Sequence, residues 1–359
     1  MKMRGIILVC LLNVWGFCRG EIAICEHEGV MTIDSLYGQY EIQEPVLIDL
    51  TKSPMMQRLK KIRQYGISHY VESLPEYTRF EHSIGVMLLT RRFGASLEQQ
   101  IAAELHDVSH TAFSHVADYL FKDGDGKTSY QDDMHESFIA KTGIDTFLAE
   151  YGYSGICSNH YKHTFTILEQ DLPDLCADRI EYNCTGGYIE GLLTRDQIAT
   201  IITDLRFEDG RWFFINEASA LLLGSVSLHL SEHTFSSIRN FFTYRQAANA
   251  LKRALEIGLL TADDICFSHD DDVWQRLCAS DDDVIRAAID CVIHCDDHCI
   301  MGSPDSYDMH VKGKFRGVNP WVKTDQGFER LTEINTSYQE EYERVRQFIA
   351  AGCYIRYVQ

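Results

Sequence analysis

The sixteen residues 103–118 read AELHDVSHTAFSHVAD and hold His106, His110 and His115 beside Asp107 and Asp118, while RFEHSIGV upstream adds His82. Imidazoles and carboxylates at this density are the material of a metal centre or of acid–base catalysis. On a helix, His106 and His110 would share one face, with Asp107 turned about 100° from His106. An adjacent His-Asp pair can serve one ion only if the remaining ligands come from elsewhere in the chain. His82 opens one predicted helix, His106-Asp107 lies in a second, and Asp178 lies in a third beside Arg179. Two imidazoles and two carboxylates suit one first-row divalent ion such as Mn, Fe, Co, Ni or Zn.

Bringing those residues together requires several helices. Ser53-Pro54 opens a predicted helix through residue 63, and further helical patterns cover 81–93 and 97–110. KDGDGKTS, residues 122–129, is a Gly-rich loop. HESFIAKTGI and HTFTILEQDL resume helical spacing, and DLCADRIEYNCT builds a helix around Asp178. LRFEDGRWFFI is a β-hairpin turning at Asp209-Gly210. A long helix follows over 236–257, and 338–352 is amphipathic. The expectation is a mostly α, multi-helical fold with a small β-hairpin: a main domain over 21–260 and a C-terminal helical extension over 261–359 that packs on it.

Composition narrows the partners. At 45% hydrophobic and 24% charged, the 359 residues suit a soluble globular protein. A net charge of −20, with acidic runs at 270–272 and 281–283, argues against duplex nucleic acid, whose binding relies on Lys and Arg. A small phosphorylated ligand fits where basic residues gather, and QRLKKIR, residues 57–63, is the densest such cluster. The alternative for that cluster is a solvated helix face.

Lys2 and Arg4 precede an apolar run over 6–18, with Cys18 and Gly20 placed for a cut before Glu21. This is the layout of a signal peptide over 1–20, too short to span a membrane, and it predicts a secreted or periplasmic protein. A buried first helix or a mis-assigned start would instead make the chain cytoplasmic. Ten of the twelve cysteines lie after residue 20, an even number that permits disulfides in an oxidising compartment. CVIHCDDHC sets Cys291, Cys295 and Cys299 four apart, which reads as a half-buried helix stripe before it reads as a soft-metal site.

Several separated blocks together resemble the HD-domain phosphohydrolases, specifically the branch of the dNTP triphosphohydrolases, which includes an enzyme joining a SAM domain to this fold. DLTKSPMMQRLKKIRQYG, YTRFEHSIGV, LHDVSHTAFSH, MHES and ADRIEY follow in the family's order, and weaker similarity runs through SSIRNFFTYRQA and GLLTADDICF to KGKFRGVNP. The resemblance implies a metal held by His82, His106, Asp107 and Asp178, with Mg possible on the substrate phosphates. It implies an inner polar cluster of His110, His115, Asp118 and His135, with His115, oriented by Asp118, as the acid for the leaving 5′ oxygen. Arg79, Arg179 and Arg239 match phosphate-holding positions, and Gln64 and Tyr182 match sugar contacts.

Three departures stand out. Thr185-Gly186 replaces a usual Arg-Asp pair whose carboxylate reads the 3′ hydroxyl, Tyr65 replaces a leucine, and Asn249-Ala250 replaces a His-Lys pair. The expected activity is hydrolysis of a (deoxy)nucleoside triphosphate to nucleoside and tripolyphosphate by a chain that can also form homo-oligomers. The alternatives are a nucleotide monophosphatase or phosphodiesterase, and a non-catalytic nucleotide-binding module.

Overall fold

The computed structural model describes residues 22–71, 75–122, 129–156 and 164–358. The segment read as a signal peptide lies outside them. No helix among the described residues is long and apolar enough to cross a membrane.

Helix dominates the described residues, as expected, but ten strands in three small sheets among them correct the expectation of a single hairpin. Ala23–His27, Val30–Ser35 and Gly38–Ile42 form an antiparallel meander. The expected hairpin is present as Leu205–Glu208 and Arg211–Phe214, turning through Asp209 and Gly210 at φ 50° and 76°. It continues into a second hairpin, Trp321–Thr324 and Gly327–Arg330, because Phe213 pairs in parallel with Trp321. Cys353–Tyr357 lies between Cys299–Met301 and Met309–Val311 in the third sheet. The region after 260 is therefore mixed rather than helical. Its strands escape a periodicity reading because they are only three to five residues long, and Trp321–Thr324 and Cys353–Tyr357 find partners far along the chain.

The helix Arg79–Arg92 is the axis of the main core, with Ile84, Val86, Met87, Leu88 and Leu89 all buried. A helix apolar on every side belongs inside the fold. It starts where Thr78 and Glu81 cap each other, with Thr78 N donating to Glu81 Oε2 at 2.7 Å and Glu81 N donating to Thr78 Oγ1 at 3.3 Å. Gly85 allows the helix Ala177–Ile189 to press close: a Cβ there would stand 2.7 Å from Glu181 Oε1. Two further expected helices are shorter than predicted, at Pro54–Leu59 and Leu97–Leu105, and residues 165–176, expected to be helical within HTFTILEQDL and DLCADRIEYNCT, are turns and coil.

The cysteines pack in apolar surroundings as expected, but not as a stripe on one helix: Cys291 lies in the helix Asp283–Ile293, Cys295 opens the short helix Cys295–His298, and Cys299 starts a strand. Cys295 and Cys299 are buried with Cys353 in an apolar cluster around Phe241, Phe242 and Ile355, with half-buried Cys291 packed against it.

Candidate metal centre and phosphate cavity

The helix Leu97–Leu105 stops at His106, so residues 106–115 form a sequence of turns rather than the helix face expected for His106 and His110. Those turns are held from outside. Arg58 Nη2 donates to the carbonyls of His110 at 2.7 Å and Cys266 at 2.9 Å, and its Nε donates to that of Ser268 at 2.7 Å. Gln131 Nε2 donates to the His106 carbonyl at 3.0 Å. Phe113 and Ser114 both take positive φ, 59° and 52°, immediately before His115. Such a conformation costs non-glycine residues free energy and persists only where the surroundings fix it. Here Phe113 N donates to Asp270 Oδ1 at 2.7 Å, Ala112 N to the Ile265 carbonyl at 2.9 Å, and Ser114 Oγ to the Arg63 carbonyl at 2.7 Å.

This accounts for QRLKKIR. Arg58 clamps backbone carbonyls and Arg63 pairs with Asp271 at 2.6 Å, so the arginines of the cluster are structural, while Lys60, over the Phe80 ring, and Lys61 remain exposed as the solvated-face reading has them. Asp270, read as part of an acidic run, is fully buried and receives the backbone N–H groups of Arg63 and Phe113.

His82, His106, Asp107 and Asp178 come together. His82 Nε2 lies 3.1 Å from His106 Nε2 and 3.0 Å from Asp178 Oδ1, and Asp107 Oδ2 lies 3.6 Å from His82 Nε2. Ligand atoms sharing one ion at about 2.1 Å stand roughly 3 to 3.5 Å apart, so these spacings fit a coordination shell. The other ring nitrogens are committed: His82 Nδ1–H donates to Glu181 Oε2 at 2.5 Å and His106 Nδ1–H to the Ala103 carbonyl at 2.7 Å. Both Nε2 lone pairs then face one point, the tautomer a metal needs. Burial opposes charge on His82, yet Glu181, Asp178 and Asp107 outweigh it and push the imidazole up to about 10, so the site favours positive charge. Asp107 is buried and Asp178 half-buried, which opposes their charge, but the imidazoles beside them, with Arg79 at Asp107, hold both carboxyls well below their usual range. His82, His106 and Asp107 could hold a metal ion.

Glu181 is the residue this centre needs and the sequence reading passed over. It also accepts from Tyr77 Oη at 2.5 Å and Thr185 Oγ1 at 2.6 Å. A signal was present in ADRIEY, because Asp178 and Glu181, three apart, share a helix face. Glu181→Gln should weaken metal retention by about 10- to 100-fold, as loss of a partner behind a ligating histidine does. Metal content after dialysis against graded chelator measures this, and retention equal to wild type would remove Glu181 from that role.

The centre opens into a cavity of about 1170 Å³. Gln64, Arg79, His110, His115, Asp118, Arg179 and Tyr182 line it together with His106, Asp107 and Asp178. His115 Nδ1 lies 3.1 Å from Asp118 Oδ2, and Asp118 Oδ1 accepts from Tyr130 N at 2.7 Å, which leaves His115 Nε2 for the cavity. Burial and nearby Arg79 pull His110 down to about 3, so it is a neutral imidazole next to Asp107. Arg79 Nη1 meets Asp107 Oδ2 at 2.5 Å, and Arg179 is oriented by Glu169 at 3.0 Å.

Two expected site residues are placed elsewhere. Arg239 points away from the cavity and pairs with Asp296 at 2.5 Å. His135 is buried behind the cavity wall, its Nδ1 2.9 Å from Ser109 Oγ, where it packs under the histidine turns. Lys312, Lys314 and Arg316, assigned no role from sequence, line the cavity instead.

The HD domain profile matches residues 79–181, the stretch that carries all four converging residues. The chain is 33% identical to the uncharacterized protein YdhJ of Bacillus subtilis over 90% of its own length and 98% of that protein. It is 30% identical to the metal-dependent phosphohydrolase cns2 of Cordyceps militaris, covering 69% of this chain and 73% of cns2. The chain belongs to the HD-domain metal-dependent phosphohydrolases. Similarity to the deoxynucleoside triphosphate triphosphohydrolase SAMHD1 of Xenopus laevis is 35% over 24% of this chain and 16% of that enzyme. The fold matches a phosphohydrolase structure from Bacteroides thetaiotaomicron at a TM-score of 0.65 and 16% identity, over 94% of this chain and all of that one. Within this HD-domain frame, Tyr65 and Gly186 fit each other: a Cβ at 186 would stand 3.1 Å from the Tyr65 hydroxyl, which donates to Glu190 at 3.4 Å.

Proposed function

We propose that this phosphohydrolase cleaves a nucleoside triphosphate, with a deoxynucleotide preferred, into nucleoside and tripolyphosphate. The observation that carries the reading is that the four converging residues, the His115–Asp118 pair and several cations share one cavity. His82, His106, Asp107 and Asp178 hold the divalent ion in this reading, and bound there it supplies Lewis-acid chemistry at phosphorus.

The chain's own residues do the rest. Arg79 and Arg179 present guanidinium groups to phosphate oxygens, and Gln64 and Tyr182 border the sugar. Water adds its oxygen to the α-phosphorus and releases its proton to solvent, the bond from phosphorus to the 5′ oxygen breaks, and His115 gives the Nε2 proton to that oxygen. Asp118 fixes the ring for this transfer. His110, neutral and 3.3 Å from Asp107 Oδ1, keeps that carboxylate aimed.

A panel of nucleotides with products separated by anion exchange decides between chemistries. Tripolyphosphate in equal amount to nucleoside is the expected result. Orthophosphate from monophosphates, or cleavage of diesters alone, would replace this reading with the monophosphatase or phosphodiesterase one.

A further inference from the structure

Three cations on one short segment have no part in the chemistry assigned above. Lys312, Lys314 and Arg316 belong to KGKFR and all line the cavity. Among the described residues none of them forms an ion pair, whereas Arg79, Arg179 and Arg239 each have a carboxylate partner. Burial in the cavity wall draws the Lys314 ammonium below its usual range, and neighbouring Arg316 and Arg179 add to the effect.

The segment is fixed in place. A Cβ on Gly313 would stand 2.7 Å from Ser236 Oγ and 3.0 Å from Phe241 Cζ, and one on Gly317 would stand 2.8 Å from Leu228 Cδ2. Val318 N donates to Ser227 Oγ at 2.9 Å, and the Arg316 guanidinium lies 5.7 Å from the Phe235 ring centroid. Like charges crowded on a rigid wall repel one another, and an anion bearing several charges relieves that repulsion.

We infer that residues 312–316 form the wall that grips the polyphosphate tail, with Lys314 and Arg316 joining Arg179 on phosphates beyond the one at the His/Asp centre. The inference rests on the phosphohydrolase reading of this cavity and adds that its substrate carries more than one phosphate. The wall selects chain length through charge, while the His115–Asp118 pair acts on whichever ester is presented.

The test is calorimetric titration of the full-length protein with tripolyphosphate and with orthophosphate, each in excess magnesium. Wild type should bind tripolyphosphate about tenfold or more tighter than orthophosphate, and Lys314→Gln and Arg316→Gln should each cost about tenfold for tripolyphosphate but under about twofold for orthophosphate. Lys314→Arg should restore binding, which a merely structural defect would not allow. Unchanged tripolyphosphate affinity in both folded Gln variants, or equal losses for the two anions, would overturn the inference. If the binding pattern holds while no nucleoside triphosphate is hydrolysed, the wall stands and the triphosphohydrolase reading falls.

Discussion

Asp107→Ala should leave the protein without retained divalent metal after dialysis and reduce phosphoester hydrolysis to background. The carboxylate is ionised and buried between His106, His110 and Arg79, so its removal takes away both a ligand and the charge that balances a cation. Even a partner behind a ligand is worth about 10- to 100-fold in metal affinity, and a charged ligand should exceed that. Arg79, 5% exposed at its side chain, would also lose its ion-pair partner, and breaking a buried pair costs about 3–5 kcal/mol. Asp107→Asn keeps the shape and an oxygen that can still accept from Arg79, so it should lose less stability than Asp107→Ala while still lacking metal. Full metal occupancy in either variant, measured by elemental analysis, would mean that the ion sits elsewhere.

His115→Ala should behave in the opposite way, keeping the metal while turnover falls by about 100-fold or more, the usual contribution of a positioned acid. The ring touches none of the four converging residues through its nitrogens; its Nδ1 is taken up by Asp118. Asp118→Asn should give a smaller loss of the same kind, because the ring remains but is no longer held by a charge. Wild-type rates in His115→Ala would move the acid's role to His110, the cavity-wall imidazole that is not among the four converging residues. The buried His135 does not line the cavity and is a poor substitute.

The four converging residues were legible because each sits in a block whose neighbours constrain it, as the Thr78–Glu81 cap does for His82 and Gly85 does for the approach of Glu181. Their scaffold was less so. Helical spacing around His106 and His110 was real, yet Arg58, Asp270 and Ile265 pull the segment into turns from positions 52 to 157 residues away along the chain. A local pattern holds no record of such partners. Arg239 is a similar case: it pairs with an aspartate 57 residues later and is not among the residues that line the cavity. Tyr65 and Gly186 looked like two separate losses in the sequence; in space they are one exchange, a ring filling what a side chain at 186 would occupy.

The seams around Asp270 also tie the stability of two regions together. Asp270 closes the backbone of both Arg63 and Phe113, and the carbonyls of Ile265, Cys266 and Ser268 complete the hydrogen bonds of the histidine turns and of Arg58. Local opening of Ala262–Phe267 and Asp270–Cys278 would therefore release the left-handed pair before His115. Whatever binds among the histidines stabilises only the closed form, so occupancy is thermodynamically linked to amide protection in a stretch that supplies no ligand. Metal affinity in this protein is in part a property of residues 262–278.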